Sequence, residues 1–152
     1  MAPWEGKRVP VPVWTLEGGV TMPTLALNTV ALSVEDTERA VLLALANGIS
    51  HIDFHPGKER DGVAKVIAQG VSPDSLFLTT KIRKAPPGTS PAEAADLAQS
   101  QIAEDLKALG VDAVGIIDIL KRQFSSESAA ANNTSLTRLR IYFLYDRHAH
   151  AP

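Results

Sequence analysis

The chain has 152 residues, no cysteine and a formal net charge of -2 at pH 7, with an isoelectric point near 6.1. This length fits one domain with a substantial hydrophobic core. The lack of cysteine excludes a disulfide framework and a cysteine nucleophile, and we predict no metal site. The charge and the lack of a basic stripe argue against nucleic-acid binding. Without a signal sequence or an apolar run near the ~20 residues of a membrane span, we expect a cytoplasmic protein with no membrane partner.

The first elements in chain order are a β-hairpin and a short strand. Residues 11–16 are apolar and β-prone, residues 17–19 supply a glycine-containing turn, and residues 20–22 continue the pattern. Pro23 ends the hairpin, and residues 24–28 are the next strand candidate.

Helices and strands then alternate along the chain. Helical spacing of apolar residues, with Ser33 and Ser90 as N-caps and Gly48, Gly70 and Gly110 as stop signals, predicts three helices. Apolar runs predict strands at residues 49–54, 76–82 and 113–120. Strands that are apolar throughout and alternate with helices are typical of a parallel sheet, so we predict an α/β fold.

Two of these strands end in a single charged residue. Asp53 ends the run at residues 49–54, and Lys81 lies at the end of the next strand. The carboxyl ends of parallel strands meet at one edge of the sheet, where α/β enzymes place their active sites. Asp53 and Lys81 are therefore the candidate site.

Four motifs in order resemble the aldo-keto reductase family over residues 13–120. They are LEGGVTMP at 16–23, NGISHID at 47–53, LFLTTK at 76–81 and LKALGVD at 106–112. The resemblance implies a partial (β/α)8 TIM barrel of about four β/α units preceded by an N-terminal hairpin. It also implies NADPH-dependent reduction of a small aldehyde or ketone substrate. Asp53 and Lys81 would be catalytic, with Asp53 and Thr29 contacting the cofactor.

Two further catalytic residues implied by the resemblance have no counterpart. The family places a proton-donating tyrosine after the aspartate, but residues 54–60 contain none. Counting forward from Asp53 puts Lys58 in its place, and counting back from the next helix puts Gly57 there. Leu120 stands where the family has a carbonyl-orienting histidine.

The loop after Asp53 offers two stand-in proton donors. His55 could lie at the mouth of the site and act as the acid, although we expect a solvated loop histidine. Lys58 is the other candidate, but an ammonium with a pKa of about 10.4 beside Lys81 is a poor acid at neutral pH. We expect residues 58–61, a run of charges, to be solvated at the start of a helix.

The sequence pattern changes at Lys121. We assign residues 1–120 to the N-terminal half of the barrel and residues 121–152, rich at first in Ser, Ala and Asn, to a disordered tail. A complete barrel of this type needs about 250 residues, and the resemblance places most cofactor contacts in the second half. We therefore expect a truncated oxidoreductase that is weakly active or inactive.

Two alternatives remain open at this point. A half-barrel with open sheet edges could be a non-catalytic interaction module that associates with itself or with a full-length relative. The tail could instead come from a shifted reading frame or a retained intron, as its abrupt start at Lys121 suggests.

Overall fold

A computed structural model describes residues 10–16, 19–120 and 145–146 of the chain. Their central feature is a four-stranded parallel sheet in which the strands lie side by side in chain order. The strands are β3 (Ala26–Asn28), β4 (His51–Asp53), β5 (Phe77–Arg83) and β7 (Ile116–Leu120). Three helices connect them in sequence, namely α1 (Val34–Ala46), α2 (Lys58–Ala68) and α3 (Pro91–Leu109). The α/β fold with a parallel sheet is therefore confirmed, and it is compatible with part of a (β/α)8 barrel.

The predicted hairpin precedes this sheet. β1 (Val13–Thr15) pairs antiparallel with β2 (Thr21–Pro23). Met22 of β2 is buried against Phe77 at the start of β5, which attaches the hairpin to the amino end of the sheet. His51 strengthens this attachment, because its ring nitrogens lie 2.9 Å from the Pro23 carbonyl oxygen and 2.8 Å from Thr79 Oγ1.

A second small sheet consists of β6 (Ala113–Val114) and β8 (Tyr145–Asp146), which pair antiparallel. Apart from β8, the predicted tail at residues 121–152 lies outside the described residues. None of the helices in the described ranges is long and apolar enough to cross a membrane.

The helix ends follow the local sequence signals. The Ser33 hydroxyl accepts a hydrogen bond from the Asp36 amide at 3.0 Å, and Ser90 forms a complete capping box with Glu93. Gly110 ends α3 in the left-handed conformation, with φ 69°, which glycine adopts without steric cost. The carboxylate of Glu93 receives hydrogen bonds from the Ser90 side chain and backbone, which lower the pKa of Glu93.

The hydrophobic core lies between the sheet and the helices. Phe54, which follows β4, and Ile52 within it are fully buried, as are Val63 and Val66 of α2. The carboxyl-terminal half of α3 closes the same core with Ile102, Leu106 and Leu109. Burial of such aliphatic side chains contributes roughly 1.5–3 kcal/mol each and supplies the main drive for folding.

A buried charged cluster joins α2, α3 and β5. Arg60 Nη1 donates to Asp105 Oδ1 at 3.2 Å, and the Thr80 hydroxyl donates to the other oxygen of Asp105. Burial raises the pKa of Asp105, and the hydrogen bonds from Thr80 and Arg60 only partly oppose this effect. For Arg60, burial alone would lower the pKa, but hydrogen bonds to Glu104, Asp61 and Asp105 outweigh it and the pKa is raised.

The expectation that residues 58–61 form a solvated charge run was wrong at two positions. Glu59 is 8% exposed and Arg60 is 9% exposed, because the first turn of α2 packs beneath the loop after β3 and against α3. Lys58 is exposed, as expected.

We expect Asp105→Ala to destabilise the fold by about 3 kcal/mol, because it leaves the Arg60 guanidinium short of its most buried partner. Glu104→Ala is the matched control, since Glu104 also pairs with Arg60 but its side chain is 69% exposed. That change should cost at most about 1 kcal/mol. Urea unfolding followed by circular dichroism measures both values, and equal losses would contradict a special role for the buried carboxylate.

The raised pKa of Asp105 also predicts a pH dependence. Folding favours the protonated carboxyl, so its contribution to stability is present below the unfolded pKa and is lost as pH rises through the folded pKa. Relative to Asp105→Asn, which does not titrate, the unmodified chain should gain stability as pH falls towards about 4. Urea unfolding of both proteins at a series of pH values tests this, and a constant difference would refute it.

Candidate functional site

The structure brings Asp53 and Lys81 together at the carboxyl edge of the sheet. β4 and β5 are neighbours, with Asp53 paired to Thr79, so Lys81 lies two residues further along the adjacent strand. The Lys81 ammonium forms an ion pair with Asp53 Oδ1 and lies 3.3 Å from the Phe54 carbonyl oxygen. The Lys81 side chain is only 8% exposed and that of Asp53 is 24% exposed. The pair therefore holds a nearly buried cation at the rim of the sheet.

The second oxygen of Asp53 is also fixed. Asn28 at the end of β3 donates from Nδ2 to Asp53 Oδ2 at 2.8 Å, while its own Oδ1 accepts the Val30 amide at 2.9 Å. The carboxylate thus receives one donor on each oxygen, which fixes its orientation towards Lys81. The sequence alone placed Asn28 only at the end of a strand candidate.

Thr29 lies behind this pair and is fully buried. Its amide donates to the Asp53 carbonyl oxygen at 3.0 Å. Its hydroxyl lies 3.3 Å from that same oxygen and 3.2 Å from Glu59 Oε2, so its proton is directed to partners inside the protein. The role of Thr29 and Asp53 in cofactor binding stays a prediction from the family resemblance.

Glu59 lies at the edge of the site, and sequence reasoning did not identify it. Its Oε1 accepts the Ala31 amide at 2.8 Å, and its Oε2 accepts the His55 amide at 2.9 Å. These bonds join the loop after β3, where Ala31 has a positive φ of 64°, to the loop after β4. The spacing of four residues between His55 and Glu59 at a helix start was the only sequence signal for this contact.

The next feature is the loop after Asp53, where the family resemblance predicts a tyrosine. Phe54 is fully buried, His55 bonds to Glu59, Gly57 has φ 101° and the exposed Lys58 begins α2. On the fourth strand of the sheet, the backbone of Leu120 pairs with Arg83, two positions beyond the partner of Lys81. The backbone of Tyr145 pairs with Val114, before the start of β7 and towards the opposite edge from Asp53.

The helix starts indicate how the described residues would meet a dinucleotide cofactor. Helix N-termini and free cations are the usual phosphate sites in α/β proteins. Here all three helices carry carboxylates in the first turn, namely Glu35 and Asp36, Glu59 and Asp61, and Glu93. Lys81 is already paired with Asp53. The acidic first turns therefore disfavour a phosphate group at these three helix starts.

Within the described ranges no group of three or more His, Asp or Glu side chains is placed to hold a metal ion. The remaining site is a charged pair at the carboxyl ends of parallel strands. A parallel α/β fold with charged side chains at this edge matches the arrangement in which α/β proteins place their functional sites.

Comparison with known proteins identifies the family within this class. An aldo-keto reductase of Mycobacterium leprae is 34% identical over 111 residues, covering 72% of this chain and 37% of that relative. One from Mycobacterium tuberculosis is 33% identical over 114 residues, covering 74% of this chain and 38% of the relative. The crystal structure of an aldo/keto reductase from Brucella melitensis is similar with a TM-score of 0.62 and 28% identity, covering 75% of this chain and 42% of that one.

The chain therefore belongs to the aldo-keto reductase family. It spans little more than a third of the length of the curated relatives it matches. No family model matches the chain.

The ion pair predicts a specific pattern of stabilities. Asp53→Ala should destabilise the fold by about 3 kcal/mol, because it leaves the Lys81 ammonium buried with only a carbonyl partner. Adding Lys81→Met should restore most of that loss, since the unpaired charge is removed. Asn28→Ala is the control and should cost about 1 kcal/mol for one hydrogen bond. Urea unfolding measures the series, and a double variant less stable than Asp53→Ala would contradict the explanation.

Proposed function

We propose that this chain is by descent an NADPH-dependent carbonyl oxidoreductase whose own 152 residues reduce aldehydes and ketones weakly or not at all. The observation that carries this proposal is the retained Asp53–Lys81 pair beside a loop without a tyrosine. Family membership supports the ancestry, and the composition of the loop supports the low activity.

The first argument concerns the proton. Reduction of a carbonyl group places negative charge on its oxygen, so an acid must supply a proton there. A lysine cation assists by lowering the pKa of a neighbouring tyrosine from about 10. Lys81 is held in place for such a role by Asp53 and the Phe54 carbonyl oxygen. Residues 54–60 provide no hydroxyl on which it could act.

The second argument concerns the cofactor. The acidic first turns of the three helices disfavour phosphate groups at the sites where an α/β fold usually binds them. We therefore assign Asp53 and Lys81 the role of holding charge at the rim. A small carbonyl compound remains the proposed substrate class, by relation to the family.

An interaction module is the weaker proposal. Among the described strands β3 pairs with β4 alone, so its other edge would be the place for self-association. The relationship to reductases supports an enzyme ancestry more directly than it supports such a role.

We expect NADPH oxidation by the purified chain with a panel of small aldehydes and ketones to equal the buffer background. NADPH fluorescence should show no saturable binding at micromolar protein. A full-length aldo-keto reductase assayed in parallel is the positive control. The Lys81→Met variant is the negative control, because it lacks the cation of the candidate site. Turnover well above background that is lost in Lys81→Met would overturn the low-activity proposal.

A further inference from the structure

The side chains of Glu59 and His55 form a carboxylate–imidazole pair beside the Asp53–Lys81 pair. The Glu59 carboxylate is nearly buried, with its side chain 10% exposed. Amides of Ala31 and His55 donate to it, and the Thr29 hydroxyl lies 3.2 Å away. These contacts come from the loops after β3 and β4, and they fix the position of the carboxylate beside the imidazole.

The contact between the two side chains determines which ring nitrogen of His55 carries hydrogen. His55 Nδ1 lies 2.9 Å from Glu59 Oε2. An ionised carboxylate only accepts hydrogen bonds, so Nδ1 must be the donor. In the neutral ring the lone pair is then on Nε2. The amide of the same residue bonds to the same oxygen, which fixes the backbone and the ring together.

The ring of His55 remains accessible, in contrast to the other imidazole in the described ranges. The His55 side chain is 23% exposed, two residues beyond Asp53 at the rim of the sheet. His51 is 8% exposed, and its two ring nitrogens lie within 2.9 Å of Pro23 O and Thr79 Oγ1. An oriented carboxylate, a fixed tautomer and an accessible ring are the features of an activated histidine.

We propose that His55, oriented by Glu59, is a nucleophilic imidazole that cleaves small activated carboxylic esters without any cofactor. Nε2 attacks the acyl carbon, the bond to the leaving oxygen breaks, and the leaving group departs as its anion. An acyl-imidazolium that keeps hydrogen on Nδ1 forms. Water then attacks the acyl group, the carboxylic acid leaves with one proton going to solvent, and the imidazole is regenerated. His55 would be the catalytic residue and Glu59 the positioning residue.

The test is hydrolysis of p-nitrophenyl acetate by the full chain in the absence of NADPH. We expect His55→Gln to lower the rate by about tenfold or more. The chain has four histidines, and His148→Gln/His150→Gln is the matched control that removes two other imidazoles. That double variant should keep most of the rate. A rate unchanged in His55→Gln, or lost in the control, would overturn the proposal.

The positioning role of Glu59 is tested by measuring the tautomer of His55, which a merely structural residue would not change. Nitrogen chemical shifts of the His55 ring should show hydrogen on Nδ1 in the unmodified chain and a mixture of tautomers in Glu59→Gln. Ester hydrolysis should fall in parallel. If Glu59→Gln keeps the same tautomer and the same rate, Glu59 does not position the ring.

A measurement on the unmodified chain keeps the proposal testable even if a variant fails to fold. Diethyl pyrocarbonate acylates neutral imidazoles, and mass spectrometry of peptides gives the rate at each histidine. His55 should react at least tenfold faster than His51, and equal rates would contradict the proposal. Because no assay contains NADPH, these outcomes are independent of the proposed reductase ancestry.

Discussion

The charge of Lys81 is the constraint on which the site depends. An ammonium that is only 8% exposed needs a fixed carboxylate, and Asp53 on the neighbouring strand supplies it. That requirement orders the surrounding residues in turn, because Asn28 fixes the second oxygen of Asp53 and the Phe54 carbonyl oxygen accepts from the ammonium. Parallel pairing of β3, β4 and β5 is what brings these groups to one edge. The ion pair and the hydrogen bond from Asn28 thus connect three strands at the candidate site.

The first turn of α2 connects this rim to the rest of the domain. Glu59 and Arg60 are adjacent in sequence, yet Glu59 contacts the loops after β3 and β4 while Arg60 contacts Asp105 of α3. Both side chains are nearly buried, and each is satisfied by several partners. Thr80, which lies next to Lys81, also bonds to Asp105. Two buried polar networks therefore lie on either side of β5, and both restrict how the rim can move.

The same arrangement bears on the proposal that this chain has the ancestry of a reductase but little of its activity. The strand ends carry the Asp53–Lys81 ion pair, whereas the loop after Asp53 contains Phe54, His55 and Gly57. Removing one partner of a buried ion pair is costly, because the other charge is left buried and unpaired. Asp53 and Lys81 therefore have a structural role apart from any chemistry. His55, held by Glu59, gives that loop a reactive group of a different kind.

The sequence by itself determined the hairpin, the parallel strands, the helix ends at Ser33, Ser90 and Gly110, and the approach of Asp53 to Lys81. These features depend on local hydrophobic period, capping chemistry and the shared edge of parallel strands, all of which are readable along the chain. Only the tertiary structure decided that Glu59 and Arg60 are buried. A charged side chain at a helix start is solvated unless a partner covers it, and Arg60 finds Asp105 45 residues away. Glu59 likewise finds Thr29 30 residues away, a distance in sequence over which local patterns carry no information.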